Sequence, residues 1–215
     1  MKTFFLTTMI VAFLLFFTNG IQAQTETQSI KLMNALIEAD CNKSNGIVNS
    51  VEDVDFAGQG NISLLMYGAL NGCTEVVKAL LDKEAKIDGQ GDDGWTALIC
   101  ASLKGHNEII TLLLDRGATL DWQDMEGFTA LMIASQFGHT KVVKLLLERG
   151  AKFDLQMLTG MTALIIASAN GNTEVVKLLL EKGANSELKT LEGAKALDYA
   201  KNADIKTLLT TYTKK

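Results

Sequence analysis

The chain has 215 residues, 47% of them hydrophobic and 21% charged, which is enough apolar material for a sizeable core and excludes disorder on a large scale. With 20 Lys+Arg against 25 Asp+Glu the formal net charge is -5, and no basic block is present to follow a phosphate backbone, so nucleic acid is excluded as the expected partner. Proline is absent, which leaves 18 glycines as the main punctuation between elements.

The first element is a targeting segment. Met1 and Lys2 precede an apolar run, Phe4 to Phe17, of 14 residues broken only by Thr7 and Thr8. A membrane-crossing helix needs roughly 20 apolar residues. The run is therefore read as the core of a secretory signal peptide over 1–23, with cleavage after Gly20 or Ala23; an uncleaved anchor is the alternative. Removing Lys2 leaves 19 Lys+Arg against 25, or -6. The expected location is exported, periplasmic or secreted, with no membrane insertion after cleavage and a monomeric mature chain. Residues 24–60 follow as a degenerate N-terminal capping repeat, with one amphipathic helix from Ser29 to Ala39 and an irregular stretch to Gly60.

From residue 61 the chain repeats itself. Gly94-Trp95-Thr96-Ala97-Leu98, Gly127-Phe128-Thr129-Ala130-Leu131 and Gly160-Met161-Thr162-Ala163-Leu164 begin 33 residues apart, and Gly193 begins a fourth copy after another 33. A fixed period of this length signals a solenoid. Each unit predicts two helices. The first opens on a threonine cap and ends at Gly72, Gly105, Gly138 or Gly171, where a positive φ suits glycine. The second starts at Thr74, Asn107, Thr140 or Thr173, which are predicted as its N-caps, with Glu75, Glu108 and Glu174 next to favour the helix dipole. Val142, Val143, Leu146 and Leu147 then fall on one face, and Gly150 closes the helix, as Gly117 and Gly183 do in their units. Glu84 stands where those glycines stand, which predicts a different ending for that helix. The repeats are placed near 61–93, 94–126, 127–159 and 160–192, with a C-terminal cap over 193–215 that is shorter by three residues at the inter-helix glycine.

With Thr-Ala-Leu-Ile-Cys-Ala at 96–101, Thr-Ala-Leu-Met-Ile-Ala at 129–134 and Thr-Ala-Leu-Ile-Ile-Ala at 162–167, the unit resembles the ankyrin repeat, whose signature is T-P-L-H-x-A. The family's proline and histidine are both replaced here, so its threonine-to-histidine link is missing. The resemblance implies an all-α repeat solenoid: four to five stacked helix-turn-helix units of 33 residues, joined by extended β-turn loops and closed by degenerate caps.

The residues that the repeat leaves free are the candidates for function. The slot between glycine and threonine reads Ile62, Trp95, Phe128, Met161 and Ala194. The resemblance implies that this slot, the two loop residues before the glycine and the two before the inter-helix glycine line a concave partner-binding surface. That adds Asp92, Asp93, Leu103, Lys104, Met125, Glu126, Gln136, Phe137, Leu158 and Thr159. Aromatic and methionine side chains ringed by carboxylates match the centre and rim of an interface. Packing of Trp95 and Phe128 against the adjoining loop is the alternative, and Trp122 lies nearer the packed part of its loop.

Nothing in the sequence assembles a reaction centre. His106 and His139, the two histidines, follow inter-helix glycines and are read as helix-capping residues rather than an acid–base pair. Asp88, Asp92 and Asp93, like Asp121, Asp124 and Glu126, lack the spacing of a calcium loop and are read as solvated turns. Cys41, Cys73 and Cys100 have no zinc-site spacing. Cys41 and Cys73 come within one position of each other when shifted by 33, so either they form the one possible disulfide or all three stay thiols. The expectation is a non-enzymatic module without catalytic residues, metal or cofactor that binds a partner protein. A structural or protective envelope role, and less so a secreted enzyme on a solenoid scaffold, are the alternatives.

Overall fold

A computed structural model of the chain describes residues 28–212; the predicted signal peptide over 1–23 lies outside the described residues. The helices come in pairs. They are α1 (28–37) with α2 (Cys41–Val48), α3 (Leu64–Asn71) with α4 (Thr74–Asp82), α5 (Ala97–Lys104) with α6 (Asn107–Asp115), α7 (Ala130–Gln136) with α8 (Thr140–Glu148), and α9 (Ala163–Asn170) with α10 (Thr173–Glu181). A last helix, α11 (Ala203–Tyr212), closes the chain.

They stack in two rows. In the inner row α3 packs on α5, α5 on α7 and α7 on α9; in the outer row α4, α6, α8 and α10 succeed one another, with α2 against α4 and α11 against α10. The inner row is apolar all round because it lies between the outer helices and its own neighbours: residues 97–102, 130–135 and 163–168 are buried throughout. Ala101, Ala134 and Ala167, each 0% exposed, keep adjacent inner helices close. The outer helices bury one stripe only, such as Val142, Val143, Leu146 and Leu147 of α8. Truncating a buried leucine in such a stripe to alanine costs about 2–5 kcal/mol.

The inner helices begin after the predicted residues, although Thr96, at the N-cap of α5, makes no side-chain cap bond. Thr129 and Thr162 accept hydrogen bonds from the backbone N–H of Met132 and Ile165, both at 3.2 Å, and Ser63 does the same for Met66. The outer helices begin one residue earlier than predicted. Thr74, Asn107, Thr140 and Thr173 are the first helical residues, and the N-cap positions belong to Cys73, His106, His139 and Asn172, none of which makes a side-chain cap bond to its own helix.

Both ends differ from the sequence reading. The stretch after α1 is a second helix, α2, opened by Asp40, whose Oδ1 accepts from the Lys43 N–H at 2.9 Å. Its sequence CNKSNGIV carries little apolar periodicity and an internal glycine, so the pattern that marks the other outer helices is missing. At the far end, residues 196–199 form only turns, and the last unit has an outer helix without an inner α-helix. Glu84 ends α4 in the same way as the glycines end their helices: its φ is +64°, against +90°, +88° and +92° at Gly117, Gly150 and Gly183. The predicted difference is therefore absent, and the glutamate adopts a left-handed conformation that costs a side chain roughly 1–2 kcal/mol.

Among the described residues the loops make no strand, only an isolated antiparallel bridge between Ala57 and Ser63. Each loop tip is tied to the next through one backbone hydrogen bond: Asp92 N to Gly60 O, Met125 N to Asp93 O, Leu158 N to Glu126 O and Leu191 N to Thr159 O, all 2.9–3.1 Å. A second ladder runs at the base of the loops. Asp55, Asp88, Asp121 and Asp154 each accept, through Oδ1, the backbone N–H of Lys86, Thr119, Lys152 and Asn185 in the following unit, at 2.8–3.0 Å.

Candidate functional site

The turn tips and the inner helices α5 and α7 enclose a groove of about 540 Å³. Trp95, Leu103, Phe128, Ile133 and Phe137 form its apolar surface with Met125, and Asp93, Asp124, Glu126 and Gln136 are its polar lining. Eight of the predicted partner-binding residues thus converge: Asp93, Trp95, Leu103, Met125, Glu126, Phe128, Gln136 and Phe137. Asp92, Lys104, Leu158, Thr159 and Met161 do not line this groove.

Local hydrogen bonds set the geometry. Asp124 folds its carboxylate back over the turn, with Oδ1 accepting from the N–H of Glu126 at 2.9 Å and of Phe128 at 2.8 Å. Asp93 Oδ1 takes the Trp95 N–H at 3.1 Å. Each aspartate thereby fixes where the aromatic residue leaves the turn. Trp95 and Phe128 are half-buried and lean on the core as well as lining the groove. Met125 and Phe137 are open, at 68% and 51% exposure. Trp122 is spoken for elsewhere, since its Nε1–H donates to the Gly94 carbonyl at 3.0 Å.

The period carries the apolar tip beyond the groove. Met125, Leu158 and Leu191 occupy one position at intervals of 33, and Leu158 and Leu191 are 71% and 81% exposed. Leu191 escaped the sequence reading because the loop it belongs to, at the end of the repeat 160–192, leads only into the cap, although adding 33 to Leu158 reaches it. Ile133 escaped because it belongs to the repeated α7 stripe, and Asp124 because it reads as an ordinary turn residue.

The other candidates for chemistry are occupied structurally. His106 Nε2 lies 3.1 Å from the Leu70 carbonyl and His139 Nε2 lies 3.0 Å from that of Leu103. A carbonyl only accepts, so each Nε2 carries a proton and donates it to the C-terminal end of the preceding inner helix. Asn172 does the same with its amide, donating to Ser135 O at 2.7 Å and Gln136 O at 2.9 Å. The preceding glycine makes room: a Cβ on Gly105 would stand 2.9 Å from Nδ1 of His139. Cys73, in the same slot, is joined to Cys41 by a disulfide with Cα atoms 5.1 Å apart. Cys100 remains a free, buried thiol inside α5; burial, and then the charge of Asp93, push its pKa up to about 12.

No curated protein matches the sequence. The family model described as ankyrin repeats (3 copies) matches residues 65–157 and 150–214, a span that takes in α4 to α11 and the whole groove. Such repeats are in general protein–protein interaction modules. The match covers well over half of the chain and falls on the stacked helix pairs that recur with a 33-residue period, and the chain belongs to the ankyrin repeat family.

Proposed function

We propose that the protein is an exported binding module without a reaction of its own, which holds a partner protein against the groove between its turn tips and inner helices. The observation that carries this reading is the groove itself. The variable slot of the repeat puts both Trp95 and Phe128 into its lining, together with Leu103, Met125 and Phe137 and with the carboxylates of Asp93, Asp124 and Glu126. Large aromatic side chains in a water-excluding depression are the usual anchors of an interface. Export is supported by the apolar leader over 1–23 and by the Cys41–Cys73 bridge, a bond that persists in oxidising compartments.

The test is affinity capture with the purified protein from the exported fraction of its own source, compared with a Trp95→Ala/Phe128→Ala variant. Loss of these two anchors is expected to weaken capture by about 2–4 kcal/mol, a factor of roughly 30 or more, with the helical circular dichroism unchanged. Equal capture by both forms would remove the groove from consideration.

A further inference from the structure

We infer that the groove selects a basic amphipathic polypeptide segment, one that places bulky apolar side chains between Trp95 and Phe128 and lysine or arginine beside them. This rests on the groove being the binding site and adds the chemistry of the occupant.

Three observations lead there. The floor is apolar and shaped, so an occupant enters with hydrophobic side chains and excludes water. The edge is one-sided in charge: Asp93, Asp124 and Glu126 line the groove, and Asp92 is exposed on the neighbouring tip. None of the ion pairs among the described residues engages these four carboxylates; those pairs hold α2, the outer-helix ends and the bases of the loops. Lys104, exposed at the end of α5, does not line the groove.

These carboxylates therefore keep their charge without a cationic side chain opposite, stabilised by hydration and, at Asp93 and Asp124, by the N–H groups of the turn. A neutral or acidic occupant would strip that water and leave anions beside a low-dielectric contact with nothing to pair with, which opposes binding strongly. A basic segment replaces the water with ammonium or guanidinium groups. Asp93 and Asp124 each spend one oxygen on the turn and are held in place by it, so the negative edge is fixed before the partner arrives. The exposed row Met125, Leu158 and Leu191 continues the apolar track along the tips, which suits a segment rather than a single side chain.

The test uses three synthetic amphipathic peptides of equal length built from leucine and lysine, leucine and glutamine, or leucine and glutamate, titrated against the purified protein. The leucine–lysine peptide is expected to bind at least about tenfold tighter than the glutamine peptide at about 0.05 M salt, an advantage that shrinks at about 0.5 M as the charges are screened. Asp92 and Glu126 make no side-chain bond among the described residues, so an Asp92→Lys/Glu126→Lys variant keeps the turn and is expected to lose that preference and to favour the glutamate peptide. Equal affinity for lysine and glutamine peptides, or indifference to the charge reversal, would overturn the basic class. If in that case binding still vanished in the Trp95→Ala/Phe128→Ala variant, the groove would stand as the site and only the occupant's chemistry would fall. Failure of all three peptides to bind also overturns the inference, and the groove is then judged by partner capture alone.

Discussion

One slot per repeat adds a side-chain link between neighbours to the loop ladders and helix packing. Cys73, His106, His139 and Asn172 follow the inter-helix glycine at intervals of 33, and each reaches back to the unit before it. A hydrogen bond there satisfies a helix-end carbonyl that would otherwise be an orphan, which contributes about 0.5–1.5 kcal/mol net. The slot takes imidazole and amide side chains that reach the end of the previous inner helix, and at Cys73 a disulfide that reaches the start of α2 instead. Glu84 is the opposite case, a position where the other units agree on glycine and this one does not. Its backbone follows the glycines into the left-handed region, with the Ala85 N–H bonded to Leu80 O at 3.0 Å just as Ala118 N is to Leu113 O. Relief of a conformational cost of roughly 1–2 kcal/mol is partly cancelled by the extra freedom glycine gives the unfolded chain, about 0.5–1 kcal/mol. Glu84→Gly is accordingly expected to stabilise the protein by about 0.5–1 kcal/mol, read as a higher urea midpoint at unchanged slope. A midpoint that stays put or falls would mean that the glutamate side chain makes a compensating contribution.

The helix pair α1–α2 is the least regular unit and the only one fastened covalently. Its outer helix presents Ser44 and Val48 as its buried residues, where α8 presents four aliphatic side chains, so packing against α4 contributes less than elsewhere in the stack. The Cys41–Cys73 bridge compensates by closing a sequence separation of 32 residues. On the chain-entropy account a loop of that size contributes about 3–4 kcal/mol. A Cys41→Ala/Cys73→Ala variant is expected to lose about that much stability in urea, and dithiothreitol is expected to bring the wild type to the same midpoint. A variant as stable as the oxidised wild type would show that the pair adds nothing. How far these elements could be read beforehand follows from how strongly each one repeats. The pairs from α3 to α10 were legible because caps, glycines and apolar spacing recur together, and part of the groove was legible because Trp95 and Phe128 interrupt that recurrence, whereas Met161, in the same slot, does not line it. The helix α2 was not, since its CNKSNGIV lacks the stripe; the missing inner helix near 196–199 was not, since Gly193 and Leu197 keep the letters of a repeat without its length. The start of the outer helices was misplaced by one residue because a threonine is as acceptable in the first turn as at the cap.

A stack in which each unit touches only its neighbours holds together by nearest-neighbour terms, so stability should fall away from the middle towards both ends. In the middle, α5 to α8 have a full unit on either side and contribute fully buried side chains such as Leu98, Ile110, Met132 and Leu146. At the C-terminal end α11 packs on α10 with only turns where an inner helix would lie, and it has Ile205 and Leu209 as its buried contribution. At the N-terminal end the bridge ties α2 to the start of α4. Native-state hydrogen exchange is therefore expected to be slowest in α5 to α8 and faster in α11 than in α10. Reducing the bridge should speed exchange in α1 and α2 by at least about tenfold, which corresponds to 1.4 kcal/mol, while α9 and α10, several interfaces away, keep their rates. An equal acceleration in every helix would mean that the chain opens as one cooperative body. A graded response would leave α5 and α7, the helices behind Trp95 and Phe128, as the part that stays folded while the ends open, and so place the groove on the stiffest part of the stack.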